Sequence, residues 1–268
     1  MYVETHSHLN DKAFDPDRDA VIARSFERGV VRLVEIACAA EEWAPAEELC
    51  SRYPGRITAA FGIHPQNHGE LTPGNLAALS GYLKKSVCSG LGEIGLDYFR
   101  DNSQKAAQLA LLEAQLELSS SSGRNCVFHA RNGADGKADD AYSDLALTLK
   151  RKWSLGGRGR ARGVLHCFSG SWADAKAGLD LGLFLGVNGT FTYKKNTELR
   201  ETVRKAGLEN IVLETDCPYL PVQEMRGKRN DPSYIPDIAA AVASYFGVRP
   251  ERVGESAAAN ASEIFYIL

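Results

Sequence analysis

What this chain lacks narrows its class before any motif is read. No apolar run approaches the ~18–20 residues that a membrane-spanning helix needs. The first residues enter a strand-like run with no basic segment and no cleavage pattern, which argues against a secretory leader. The six cysteines, at 38, 50, 88, 126, 167 and 217, include no Cys-x-x-Cys pair. Several stand in apolar strand-like context, so reduced, buried thiols in a cytoplasmic protein are expected. Neither sign of charge dominates: 31 basic against 34 acidic residues leaves −3. A protein that coats a duplex would be basic, so any phosphate contact must come from local basic residues or from metal. There is no Gly-rich phosphate turn after the first strand, no internal repeat and no linker that would mark a second domain.

What is there is an alternation. The 268 residues are 44% hydrophobic and 24% charged, which fits one globular domain with a sizeable core. The patterning predicts strands over 2–8, 30–38, 56–63, 87–94, 125–129, 163–167, 183–187 and 211–214, the fourth weakened by its glycines. Helical spacing fills the intervals, most clearly over 103–118, where Ala107, Leu111, Ala114 and Leu118 recur at helical intervals and four serines then fray the end. A flexible Gly-Arg loop is expected at 156–160, and a long irregular segment, 218–233, precedes two closing helices. Eight strands alternating with helices imply parallel pairing through right-handed crossovers. The expected fold is therefore a single-domain (β/α)8 TIM barrel, α/β in class, covering 1–268, with an open doubly wound sheet as the less fitting alternative.

The chemistry-bearing side chains cluster at strand ends. His6 and His8 are two apart in the first strand, so both point to one face. His64 follows strand three, Glu93 ends strand four, His129 strand five and His166 strand six, and Asp216 follows strand eight. In a parallel barrel these ends share one rim, where catalytic groups gather. Five of the six histidines fall there; His68, in a polar loop, is expected to face solvent. Imidazole with carboxylate is a ligand mix for divalent metal. The set is too large for one catalytic ion with an open position and suits two, which together can clamp a phosphoryl displacement.

These residues sit in motifs whose order is similar to that of the TatD family: Thr5-His6-Ser7-His8-Leu9, Gly62-Ile63-His64-Pro65, Gly92-Glu93-Ile94-Gly95-Leu96-Asp97-Tyr98, His129-Ala130-Arg131, His166-Cys167-Phe168-Ser169-Gly170, Glu214-Thr215-Asp216-Cys217-Pro218-Tyr219-Leu220 and Arg226-Gly227-Lys228-Arg229-Asn230-Asp231-Pro232. The resemblance implies a hydrolase of ester bonds: a metal-dependent deoxyribonuclease, exonucleolytic on single-stranded DNA, with a metal-activated water. It implies one ion on His6, His8 and Asp216, another on His129 and His166, and Glu93 as bridge. Magnesium, zinc and manganese are the candidate metals. Asp216 is expected to act as ligand and general base, and His64 to bind substrate or support the ligands, with direct metal ligation as its alternative. Arg131 and Arg229 are expected to grip phosphate, with Lys194 and Arg226 as further candidates. Tyr98 and Tyr219 are the aromatics expected to stack on bases, ahead of Phe168 and Phe191. Glu4 and Asn10 depart from the family's usual acids, and Ala130-Arg131-Asn132-Gly133 replaces its Ser-Arg-acid run. Two other readings remain at this stage: a barrel amidohydrolase cutting C–N or lactone bonds, against which Glu93 stands on strand four, and a non-catalytic metal- or nucleic-acid-binding protein.

Overall fold

The computed structural model describes residues 1–100, 104–134, 140–153 and 163–265; the loop expected at 156–160 lies outside them. Eight strands form one parallel sheet in sequence order: β1 Tyr2–Ser7, β2 Val30–Ala37, β3 Ile57–Phe61, β4 Cys88–Asp97, β5 Cys126–Arg131, β6 Gly163–Leu165, β7 Leu183–Val187 and β8 Ile211–Leu213. The last strand returns to the first. Ser7 bridges Cys217 in parallel, the Asp216 amide donates to the His6 carbonyl (3.0 Å) and the His8 amide donates to the Cys217 carbonyl (3.0 Å). This closure gives the (β/α)8 barrel.

The helices are α1 Arg18–Glu27, α2 Trp43–Arg52, α3 Pro73–Tyr82, α4 Lys105–Ser122, α5 Ala141–Lys152, α6 Trp172–Asp180, α7 Thr197–Ala206, α8 Ile235–Phe246 and α9 Pro250–Phe265. Each turns an apolar stripe to the barrel, such as Leu111, Leu112 and Leu116 of α4, and Ile238, Ala239 and Val242 of α8. Two expectations need correction. The serines at 119–122 do not fray α4. Ser121 and Ser122 donate their hydroxyls back to the Leu118 carbonyl (3.1 and 2.6 Å), and the helix ends at Gly123 in the left-handed region (φ 72°). Strand β4 continues to Asp97 and is buried along its whole length. Its glycines admit a close neighbour rather than weakening it: a Cβ on Gly92 would lie 2.5 Å from the Val127 side chain, and one on Gly95 (φ 144°) 2.0 Å from the His129 carbonyl oxygen.

Inside the barrel, alternation along the strands positions the site. Val34, Ile36, Ala60, Val127, Val164, Phe184 and Val212 form an inner apolar cluster, closed by Ala261, Ile264 and Phe265 of α9. Counting onward by twos from these residues reaches Cys38, His64, His129, His166, Asn188 and Asp216. On β3, β5, β6 and β8 the inner apolar layer thus gives way, one or two alternations further at or past the strand end, to a potential ligand.

Candidate metal centre

At the C-terminal mouth of the barrel lies a cavity of about 1240 Å³, with His8, His64, Glu93, His129, His166 and Asp216 in its lining. His6 is wholly buried beneath them. Potential ligand atoms converge in overlapping groups: His6, His8 and Asp216; His6, Glu93 and His166; His64, Glu93 and His129; and His166, Cys167 and Asp216. His6 Nε2 lies 3.2 Å from His8 Nε2 and 3.4 Å from Glu93 Oε2. His129 Nδ1 meets Glu93 Oε1 at 2.6 Å, and His166 Nε2 stands 3.7 Å from both Glu93 Oε1 and Asp216 Oδ1. Glu93 faces four imidazoles, those of His6, His64, His129 and His166. His129 and His166, the pair implied for the second ion, both face Glu93 Oε1, with ring centroids 6.4 Å apart, and His166 also stacks on His6 at 3.3 Å. His64 lies beside Glu93 and His129 as a further neighbour.

Electrostatics follow from burial and crowding. Burial alone would raise the Glu93 carboxyl, but His166, His129 and His6 around it hold it well below the usual carboxylate range. Asp216 is likewise lowered: burial is outweighed by His166, His8 and His6. Burial disfavours a cation on His8, His129 and His166, yet Asp216, the Asp97–Glu93 pair and the Glu214–Glu93 pair respectively raise each to about 9. Burial wins at His6 and His64, which fall to about 4. The residues fit a divalent cation. His6 Nε2 lies 3.2 Å from His8 Nε2, 3.4 Å from Glu93 Oε2 and 3.9 Å from Asp216 Oδ1, a separation that suits imidazole and carboxylate donors sharing one ion.

A supporting layer orients these side chains, and sequence reasoning missed most of it. Asp97 Oδ2 lies 3.3 Å from His129 Nε2 and accepts from Gln66 Nε2 (2.8 Å). Glu214 Oε1 lies 3.1 Å from His166 Nδ1 and accepts the Cys167 amide (2.6 Å). Glu35 accepts the amides of Leu9 (2.8 Å) and Asn10 (2.9 Å), fixing the turn after His8. Glu4 accepts the amides of His6 and Thr215 and the Thr215 hydroxyl (2.6 Å), tying β1 to β8 under the site; burial raises its carboxyl to about 8. Carboxylates on the far nitrogen of ligand imidazoles are the usual means of fixing ring orientation. Asp97 and Glu214 were visible as members of quoted motifs, but nothing in their spacing indicated which histidine each would face.

The expected substrate contacts divide. Arg131 and Tyr219 line the cavity and are exposed. The Tyr219 hydroxyl meets Asp11 Oδ2 at 3.2 Å, and its ring packs edge-on to His8. Tyr98 does not offer a stacking face: it is 1% exposed and its hydroxyl donates to Asp144 Oδ2 (2.9 Å). Arg229 does not reach the cavity either. It bonds to the Ala13 carbonyl and to Asp17 Oδ2 (2.7 Å) and lies over Phe14, so it clips the last motif to the turn after β1. Phe168 and Phe191 are core residues. Lys194 is outside the cavity lining while its neighbour Lys195 is within it, and Arg226 packs over Tyr193. His68, expected to face solvent, is half-buried.

Comparison with known proteins agrees with this arrangement. The family described as TatD related DNase matches residues 3–266. The chain is similar to a 3'-5' ssDNA/RNA exonuclease TatD of Erwinia billingiae, 31% identical and covering 96% of each chain. It is also similar to the metal-dependent hydrolase YabD of Bacillus subtilis, 30% identical and covering 100% of each. Among solved structures, the TatD homologue YJJV of Escherichia coli superposes with a TM-score of 0.88 at 28% identity, covering 99% of this chain and 98% of that one. No helix among the described residues is long and apolar enough to cross a membrane. With the matching motifs on one barrel and its ligand-bearing mouth intact, the chain belongs to the TatD related DNase family and is a metal-dependent hydrolase acting on ester bonds.

Proposed function

We propose that this protein is an exonuclease that trims single-stranded DNA from its 3′ end and binds two divalent ions at the barrel mouth. The observation that carries the reading is the convergence of His6, His8, His64, Glu93, His129, His166 and Asp216 at the floor of one solvent-open cavity. The names of relatives about 30% identical over nearly their full length support the substrate and polarity. His6, His8 and Asp216 would hold one ion, His129 with His64 or His166 the other, and Glu93 would reach both. Bound there, such ions supply Lewis-acid polarisation of a phosphodiester and a lowered pKa for water. An imidazole-rich set favours zinc or manganese over magnesium in affinity.

The chain's own groups do the rest. Asp216 is kept ionised by the histidines around it and can take a proton on a carboxylate oxygen. Arg131 can pair bidentately with phosphate oxygens, and Lys195 adds charge on the cavity wall. The inner apolar cluster beneath excludes water from the floor, which strengthens every charge interaction above it.

A gel assay on 3′- and 5′-labelled oligonucleotides, single- and double-stranded, tests the proposal. Stepwise shortening of the single strand from the 3′ end, abolished by a chelator and restored by manganese, is the expected result. Intact single strands under metal-replete conditions, or unchanged cleavage in the chelator, would contradict it.

A further inference from the structure

We infer that Phe99, held by Asp97 and roofed by Arg131, is the base-stacking surface that selects unpaired nucleotides at this site. The inference rests on the nuclease reading and names the element that recognises the substrate.

Five large apolar side chains are exposed among the described residues: Met1, Phe99, Leu147, Tyr219 and Val248. Two of the five are aromatic, and both line the cavity that contains the candidate ligands. A phenyl ring left at 57% exposure contributes little burial to the fold. The Arg131 guanidinium carbon lies 3.9 Å from the Phe99 ring centroid. With Arg131 over the ring and the residue still more than half exposed, Phe99 keeps surface open to the cavity it lines. Arg131 has no carboxylate partner within salt-bridge distance among the described residues, so its N–H groups remain available while its cationic carbon sits over the ring. A flat apolar face beside a fixed cationic fork matches the two parts of a nucleotide, a base to stack and a phosphate to grip.

The platform is coupled to the metal centre. Asp97 Oδ1 accepts the amides of Phe99 (3.0 Å) and Arg100 (3.0 Å), while Oδ2 faces His129 Nε2. Arg131 is two residues beyond His129 on β5. One carboxylate thus sets both the stacking turn and a candidate ligand, which keeps the bound base in register with the centre. A duplex buries its base faces in its own stack, so this platform favours single strands or frayed ends.

The test compares kcat/KM for a single-stranded oligonucleotide with that for the same strand carrying abasic residues at its two 3′-terminal positions. Wild type should prefer the strand with bases. Phe99→Ala should lower that preference about tenfold, the scale of one lost base–aromatic stack, and Phe99→Trp should restore it. Melting temperatures of both variants check that they fold. If wild type prefers the base-bearing strand and Phe99→Ala keeps the full preference, or if Phe99→Trp is as impaired as Phe99→Ala, the inference is overturned and the nuclease reading survives. Wild type that leaves both strands uncut overturns the reading itself and the inference with it.

Discussion

Asp216 concentrates the residue-scale logic of the site. Its backbone follows the last strand in the left-handed region (φ 58°), an uncommon conformation for a residue other than glycine. That turn carries its Oδ1 to 3.5 Å from His8 and 3.7 Å from His166. A carboxylate held ionised among imidazoles can serve as ligand and proton acceptor. Asp216→Asn keeps the shape and removes the basicity, so turnover should fall by about 10²–10⁴ while the melting temperature holds. A loss below about threefold would remove Asp216 from the base role. Residues such as Asp216 were legible because motif order and strand-end position can be read along a chain. Their partners were not: Tyr98 and Phe99 are adjacent in the same motif, but only the turn set by Asp97 decides that one ring enters the core and the other the cavity. Arg229 was misplaced for the same reason, because its fate depends on Asp17 and Ala13, more than 200 positions away.

At the scale of elements, β4 and β5 carry the closest constraint. Glu93 and His129 meet at 2.6 Å because the two strands approach more closely than side chains on β4 would allow. Gly95 is the clearest instance, since its Cβ would fall on the His129 carbonyl. Gly95→Ala forces either the strand or the ligand aside. It should cost about 1–3 kcal/mol in chemical denaturation, as overpacking does, and weaken metal retention. An unchanged denaturation midpoint with full metal content would contradict this account. Elements were legible at the level of type and order because helix and strand periodicities differ and turn signals separate them. Their ends were less so. The serine run closing α4 and the glycine-rich β4 both read as weak by propensity, but the Trp153 indole N–H donating to the buried Ser119 hydroxyl and close strand packing, neither of which is a local property, hold them.

Over the whole molecule, the barrel is a device for holding mutually unfavourable groups together. Its inner apolar layer and the α9 plug fill the lower half, and the potential ligands fill the upper. In the metal-free protein His8, His129 and His166 titrate at about 9, above the ordinary 6.5. Because the folded pKa is raised, the stability these groups contribute is full below pH 6.5 and is lost as pH rises through about 9. A cation entering near neutral pH must displace their protons, so binding should release protons and tighten as pH rises. Calorimetric titration of manganese in buffers of different ionisation enthalpy reads this directly; a binding heat independent of the buffer would contradict it.

We propose that Glu93 joins two ion sites into one centre, and metal content measured on purified protein after loading and desalting tests this. Wild type should retain about two divalent ions per chain, and Glu93→Ala, folded by its melting curve, should retain fewer than one. Equal metal content in the folded variant and the wild type would contradict the account.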